Sequence, residues 1–144
     1  KDYVNNHIAE KFGSPELAKV IGSRPEKRVI TVAHYDGTLL SYYLARQAGV
    51  PMDWSRIQVE VDGGLRLQGI DRVVQPLVQV HALGADPESA AEEALRRWMQ
   101  SEPVLVVSRE AVHLEGVSHL LRGCDVLAQA GSGKLFRCPG EGRR

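Results

Sequence analysis

His34 and Asp36 stand two residues apart, and Glu102 lies far along the chain beside Pro103. An imidazole and two carboxylates are the groups that hold a divalent ion or divide general acid and base work between them. Two residues apart on a regular helix point to different faces, so His34 and Asp36 converge only if the fold brings them together by other means. The remaining histidines, His7, His81, His113 and His119, form no His-x-Glu, His-Glu-x-x-His or Cys-x-x-Cys arrangement. No metal or other cofactor is therefore expected. Paired carboxylates at Asp36 and Glu102, with His34 nearby, are kept as an alternative enzyme site, acid–base or metal-dependent.

Other chemistries fail on residue type. Gly133-Lys134 has Ala128 where a phosphate loop needs its first glycine and Leu135 where it needs Ser or Thr. Ser41 and Ser108 sit in no Gly-x-Ser-x-Gly elbow. Cys124 precedes Asp125, whose carboxylate would raise a thiol pKa instead of activating it, and Cys138 lies near the chain end. Two cysteines are too few for a disulfide scaffold, so unpaired thiols in a reducing cytosol are expected, with a Cys124–Cys138 pair as the alternative. Tyr35, Tyr42 and Tyr43 are an aromatic group for either a pocket or ordinary core packing, and packing is the simpler expectation.

Composition narrows the partners. Lys plus Arg equals Asp plus Glu, at 18 each, and the basic residues are scattered. Neither nucleic acid nor an anionic membrane is expected as a partner. No apolar run approaches the roughly 20 residues that span a bilayer. Lys1 to Asn6 carries no apolar stretch of the signal-peptide kind, so a cytoplasmic protein is expected.

The elements that must position these residues follow from periodicity and punctuation. The 144 residues fit one domain. Residues 1–24 read as a helical segment, with Ser14 as N-cap, Pro15 at the first helical position and Gly22 as the stop. A central helix is expected from Pro25 or Arg28 to Ala48, closed by Gly49, on the spacing of Val32, Tyr35, Leu39, Tyr42 and Tyr43, with Gly37 interrupting it. Ile57, Val59 and Val61 alternate with polar residues, Gly63-Gly64 turns, and Leu65 and Leu67 resume the alternation, which predicts a hairpin. A strand is expected over Leu77 to Leu83. Asp86-Pro87-Glu88 starts an amphipathic helix, and Val104 to Val107 fits helix or strand. Val112, Leu114 and Val117 suggest a last strand. Residues 123–144, rich in glycine, read as a flexible tail after a domain over 25–122. The order predicts an α+β fold rather than a doubly wound parallel sheet.

Three stretches together resemble the OsmC/Ohr family, the osmotically inducible and organic hydroperoxide resistance proteins: "DGTLLSYYLARQAGV", "IQVEVDGGLRLQGID" followed by "PLVQVHALG", and "DPESAAEEALRRWMQSEPV". They are similar to that family's cysteine-bearing central helix, its paired strands, and its Ala/Glu-rich helix running into Cys-Pro-Val. The resemblance implies an antiparallel sheet packed on a long central helix, an intertwined homodimer with a pocket between subunits, and a role in stress response. Carried over by residue, Glu102 before Pro103 takes the place of the second cysteine, and Asp36 falls nearest the first. A carboxylate can neither attack a hydroperoxide nor resolve a sulfenic acid. The expected function is thus an OsmC-like protein without peroxidase activity that binds a small apolar or amphipathic ligand near His34, Tyr35, Thr38 and Pro103. A purely structural dimer module is the other alternative.

Overall fold

A computed structural model describes residues 12–32, 34–51, 54–77, 87–109 and 114–140. Among these, the order is α1 (Ser14–Gly22), β1 (Arg28–Thr31), α2 (His34–Gln47), a 3-10 turn (Trp54–Arg56), β2 (Ile57–Val59), β3 (Leu65–Leu67), β4 (Val73–Pro76), α3 (Pro87–Ser101), β5 (Val104–Arg109), α4 (Glu115–Leu121), β6 (Asp125–Ala130) and β7 (Gly133–Cys138). The strands form one seven-stranded sheet in the order β2-β3-β4-β1-β5-β7-β6. The fold mixes α and β as expected. Its centre is not antiparallel: β4, β1 and β5 run parallel, and antiparallel strands flank them on both sides.

The largest correction lies in residues 28–32. The central helix begins at His34, and Arg28–Thr31 is the middle strand of the sheet. Val29, Ile30, Thr31 and Val32 are all β-branched, and such side chains lose χ1 freedom in a helix and fit a pleated surface. Each of the four is at most 1% exposed. A strand covered on both faces reads as an unbroken apolar run, without the alternation that marks a half-exposed one. The same holds for Val104–Val107, which resolves to strand. Further on, α2 ends as predicted: Gly49 has φ 72, and the Val50 N–H reaches back to the Ala45 carbonyl at 2.9 Å.

Two helical layers enclose the sheet. Leu17, Ala18 and Ile21 of α1 and Leu40, Tyr43 and Leu44 of α2 pack on Val29, Val74, Leu105, Val107 and Leu135. On the other face, Ala91, Leu95 and Met99 of α3 and Val117 and Leu121 of α4 pack on Ile30, Val32, Val104 and Val106. Tyr43 is core, whereas Tyr42 stands 41% exposed, so the expected tyrosine stripe splits.

Other expectations shift. The 57–67 hairpin is present, pairing Ile57 with Leu67. Strand β4 covers Val73–Pro76, upstream of the strand expected over Leu77 to Leu83; Leu77 lies just past it, and residues 78–83 lie outside the described set. Leu114 and Val117, expected in a strand, belong to the start of α4, while Val112 lies outside the described residues. Ser14 is inside α1 and buried, and Gly13 takes the N-cap position with φ 73. Residues 125–138 are a hairpin built into the sheet, since β7 pairs along the whole of β5 from Val104↔Cys138 to Arg109↔Gly133. Gly131 there supplies a tight turn, not a flexible end. Cys124 and Cys138 form a disulfide, against the expectation of free thiols. No helix among the described residues is long and apolar enough to cross a membrane.

Candidate site at the carboxyl ends of the parallel strands

Thr31, Pro76 and Val107 lie level at one edge of the sheet, where β1 and β4 end and β5 runs on two residues to Arg109. After β1 the chain passes into α2 on one face; after β4 and β5 it goes on to α3 and α4, on the other. In open α/β sheets such a reversal leaves a crevice beyond the strand ends, and ligands bind there.

Two charged side chains meet at this edge. Arg109, the last residue of β5, places Nε 2.8 Å from Oδ1 and 2.9 Å from Oδ2 of Asp36 in the first turn of α2. Both side chains are largely buried, at 12% and 5% exposure. Burial pushes the Asp36 carboxyl above its usual range, and the Arg109 hydrogen bond and charge pull the other way without cancelling it. The Arg109 guanidinium also lies over the Phe12 ring, 4.1 Å from its centroid.

The first turn of α2 lies directly on the strand ends. A Cβ at Gly37 would sit 3.1 Å from Thr31 Oγ1 and 3.4 Å from Pro76 Cγ, so glycine is what permits that approach. Ser41 donates to the Gly37 carbonyl at 2.7 Å. Thr31 is fully buried, and its hydroxyl has no hydrogen-bond partner among the described residues. Buried hydroxyls are nearly always paired, so this one marks the edge as unusual.

Glu102 is elsewhere. It pairs at 3.1 Å with Arg28, the first residue of β1, whose guanidinium also donates to Gln75 and lies 3.6 Å from the Trp98 ring centroid. Asp36 and Glu102 therefore sit at opposite ends of a strand that spans about 10 Å, and each faces its own arginine. The expected carboxylate pair does not form. Pro103 lies at Glu102's end, while Thr38 is half-buried in α2, so the expected ligand set does not converge either. The side chains of His34 and Tyr35 lie outside the described set. Among the described residues no group of three or more His, Cys, Asp or Glu is placed to hold a metal ion. Sequence reasoning missed Arg109 and Thr31. The signal was there: Thr31 lies within the β-branched run Val29–Val32 and Arg109 two residues past the run Val104–Val107, near the carboxyl ends of buried strands once those runs are taken as strand.

A second polar cluster sits at the amino end of the strands. Glu26 is 7% exposed and accepts from Arg24 at 2.9 and 3.0 Å and from Arg137 at 2.9 Å. Burial alone pushes this carboxyl up. The hydrogen bonds from Arg24, its own backbone N–H and Arg137, with the Arg24 charge, outweigh burial and hold it at about 2. A folded-state pKa depressed from 4.5 means stability that is present above the unfolded value and lost as pH falls toward 2. Both arginines are part-exposed, so screening reduces the effect to about 1–2 kcal/mol. Glu26→Gln should cost that much at pH 7 in urea unfolding and almost nothing near pH 2. A constant difference across that range would mean the loss is one of packing, not charge.

Comparison with known proteins found no matching family model, no matching curated protein and no matching solved structure.

Proposed function

We propose that this chain binds a small amphipathic ligand, led by an anionic group, at the carboxyl ends of β1 and β5, and that it performs no thiol peroxidase chemistry. The observation that carries this is the buried Thr31 hydroxyl, without a partner among the described residues, beneath the first turn of α2 and on the same sheet face as Arg109. The first turn of a helix directs unpaired N–H groups outward and carries the positive end of its dipole, which suits an anion. Asp36 engages Arg109 through Nε, and the terminal guanidinium nitrogens are the fork that recognises carboxylates and phosphates. Phe12 offers an aromatic surface beside that fork for the rest of the ligand.

The OsmC/Ohr resemblance enters only through its chemistry: Asp36 and Glu102 supply no thiolate. Its intertwined dimer goes with an antiparallel sheet, and the parallel centre seen here gives that arrangement no support. We propose a site within one chain.

Titration with inorganic phosphate and with a medium-chain fatty acid, followed by NMR shifts, tests this. Binding should move the amides of α2's first turn. Thr31→Val keeps the shape and removes one donor to a charged group, so it should weaken binding about 10-fold or more while leaving stability unchanged or raised. Unchanged affinity in Thr31→Val would sink the site. Organic hydroperoxide with a dithiol should show no turnover; consumption abolished by Cys124→Ser would overturn the second half of the proposal.

A further inference from the structure

We infer that the Cys124–Cys138 disulfide is a lasting covalent staple of the outer hairpin, and that this chain works where thiols are kept oxidised. The two residues are the natural next pair in the β6–β7 ladder. Asp125 faces Arg137 and Val126 faces Phe136, so the same register carried one step back sets Cys124 opposite Cys138. Their Cα atoms are 4.6 Å apart, the spacing of a non-hydrogen-bonded antiparallel pair, where opposed side chains lie closest. The ladder itself thus brings the sulfurs together, with no backbone movement needed to close the bond.

The place of the bridge gives it a purpose. β6 is an edge strand, and Val126 on it is 55% exposed. Exposed edge strands recruit other strands unless they are held or blocked. At one end β6 is held by the Gly131 turn, packed against Gly13 through Ala130. At the other end no hairpin turn joins the two strands, because the chain enters β6 from α4 through the Arg122-Gly123 turn. The disulfide closes that open end and ties it to Cys138, which is fully buried among α3, α4 and β5 side chains. Cys124 is half-buried, so the Cys138 sulfur is closed to small thiols and the Cys124 sulfur is partly covered. Shielded structural disulfides resist reduction, whereas exposed ones are the labile kind.

Formation needs an oxidant. The two thiols exchange with an external disulfide through a mixed disulfide: one new S–S bond forms in the protein, the external S–S bond breaks, and its two sulfurs leave as thiols with the two protons and two electrons. The class of reagent is a disulfide oxidant of the kind present in compartments that sustain protein disulfides. This runs against the cytoplasmic placement expected from composition.

Two measurements decide it. In protein taken from the cells that make it naturally, with thiols trapped by iodoacetamide in denaturant, Cys124 and Cys138 should carry no adduct before reduction and one each after it. Adducts before reduction would overturn the inference. In the full-length chain, Cys124→Ser should lower Tm by about 5–10 °C, and reduction of the unaltered protein should lower it equally. Reductant should do nothing further to the variant. A Tm indifferent to reduction, with the thiols shown to be open, would mean the bond staples nothing.

Discussion

Arg109→Met should lower the unfolding free energy by about 3–5 kcal/mol at pH 7, the largest loss expected from any charge in this protein. Methionine fills similar space, so the cost is not a cavity. It arises because Asp36, 4% exposed, keeps its burial and loses Arg109, the one cation paired with it among the described residues. Burial already raises that carboxyl, and without Arg109 it rises further. A folded-state pKa above the unfolded value favours folding at acid pH and penalises it above. The deficit should therefore shrink as pH falls below the unfolded range of Asp, where the group is neutral in both states. Adding Asp36→Asn to Arg109→Met should recover most of the loss at pH 7, since replacing both members of a buried pair is far cheaper than orphaning one. Urea unfolding of the single and double variants across pH measures all of this. A loss below about 1 kcal/mol in the single variant would show that solvent reaches Asp36 and that the pair is not the buried anchor of the site.

Gly13→Ala should be nearly as damaging, at about 3–4 kcal/mol. Gly13 holds φ 73, a conformation that costs an alanine about 1–2 kcal/mol. A Cβ there would also overlap the Ala130 carbonyl, which is backbone and cannot rotate away. Relief requires the β6–β7 turn to move off α1, at a cost typical of an overpacked contact. Gly22→Ala is the control: a Cβ at Gly22 meets nothing within 4 Å, and its φ is ordinary. That change should be neutral or slightly stabilising. Equal effects at Gly13 and Gly22 would show that α1 is not docked on the hairpin turn.

These positions show how unevenly the fold was legible. The amphipathic helix after Pro87 was clear because Ala91, Leu95 and Met99 meet the core on one side while Glu92 and Arg96 pair at 3.6 Å on the other. The 57–67 hairpin was clear because apolar and polar residues alternate on either side of Gly63-Gly64, although the half-buried strand expected there leaves Val59 71% exposed. Arg28–Thr31 was read as helix because a strand buried on both faces carries no alternation, and Val32 and Tyr35 happened to fit a helical stripe. The 125–138 hairpin was hidden by its turn: Gly131, Ser132 and Gly133 look like a linker until β5 is there to pair with Gly133–Cys138. Once that strand is missed, Cys124 and Cys138 have no register in which to meet.

Local sequence determined where helices stop, where the exposed hairpin turns, and that no activated thiol stands at Asp36 or Glu102. Those depend on neighbours in the chain: glycine at positive φ, alternation over a few residues, and the identity of one atom type. Tertiary structure alone decided that Asp36 would face Arg109 and not Glu102, that Thr31 would be buried beside them, and that two distant cysteines would bond. Each of these depends on which strands lie side by side and in which direction, and parallel pairing across a helical crossover is an energy of long-range burial that no short window of sequence contains.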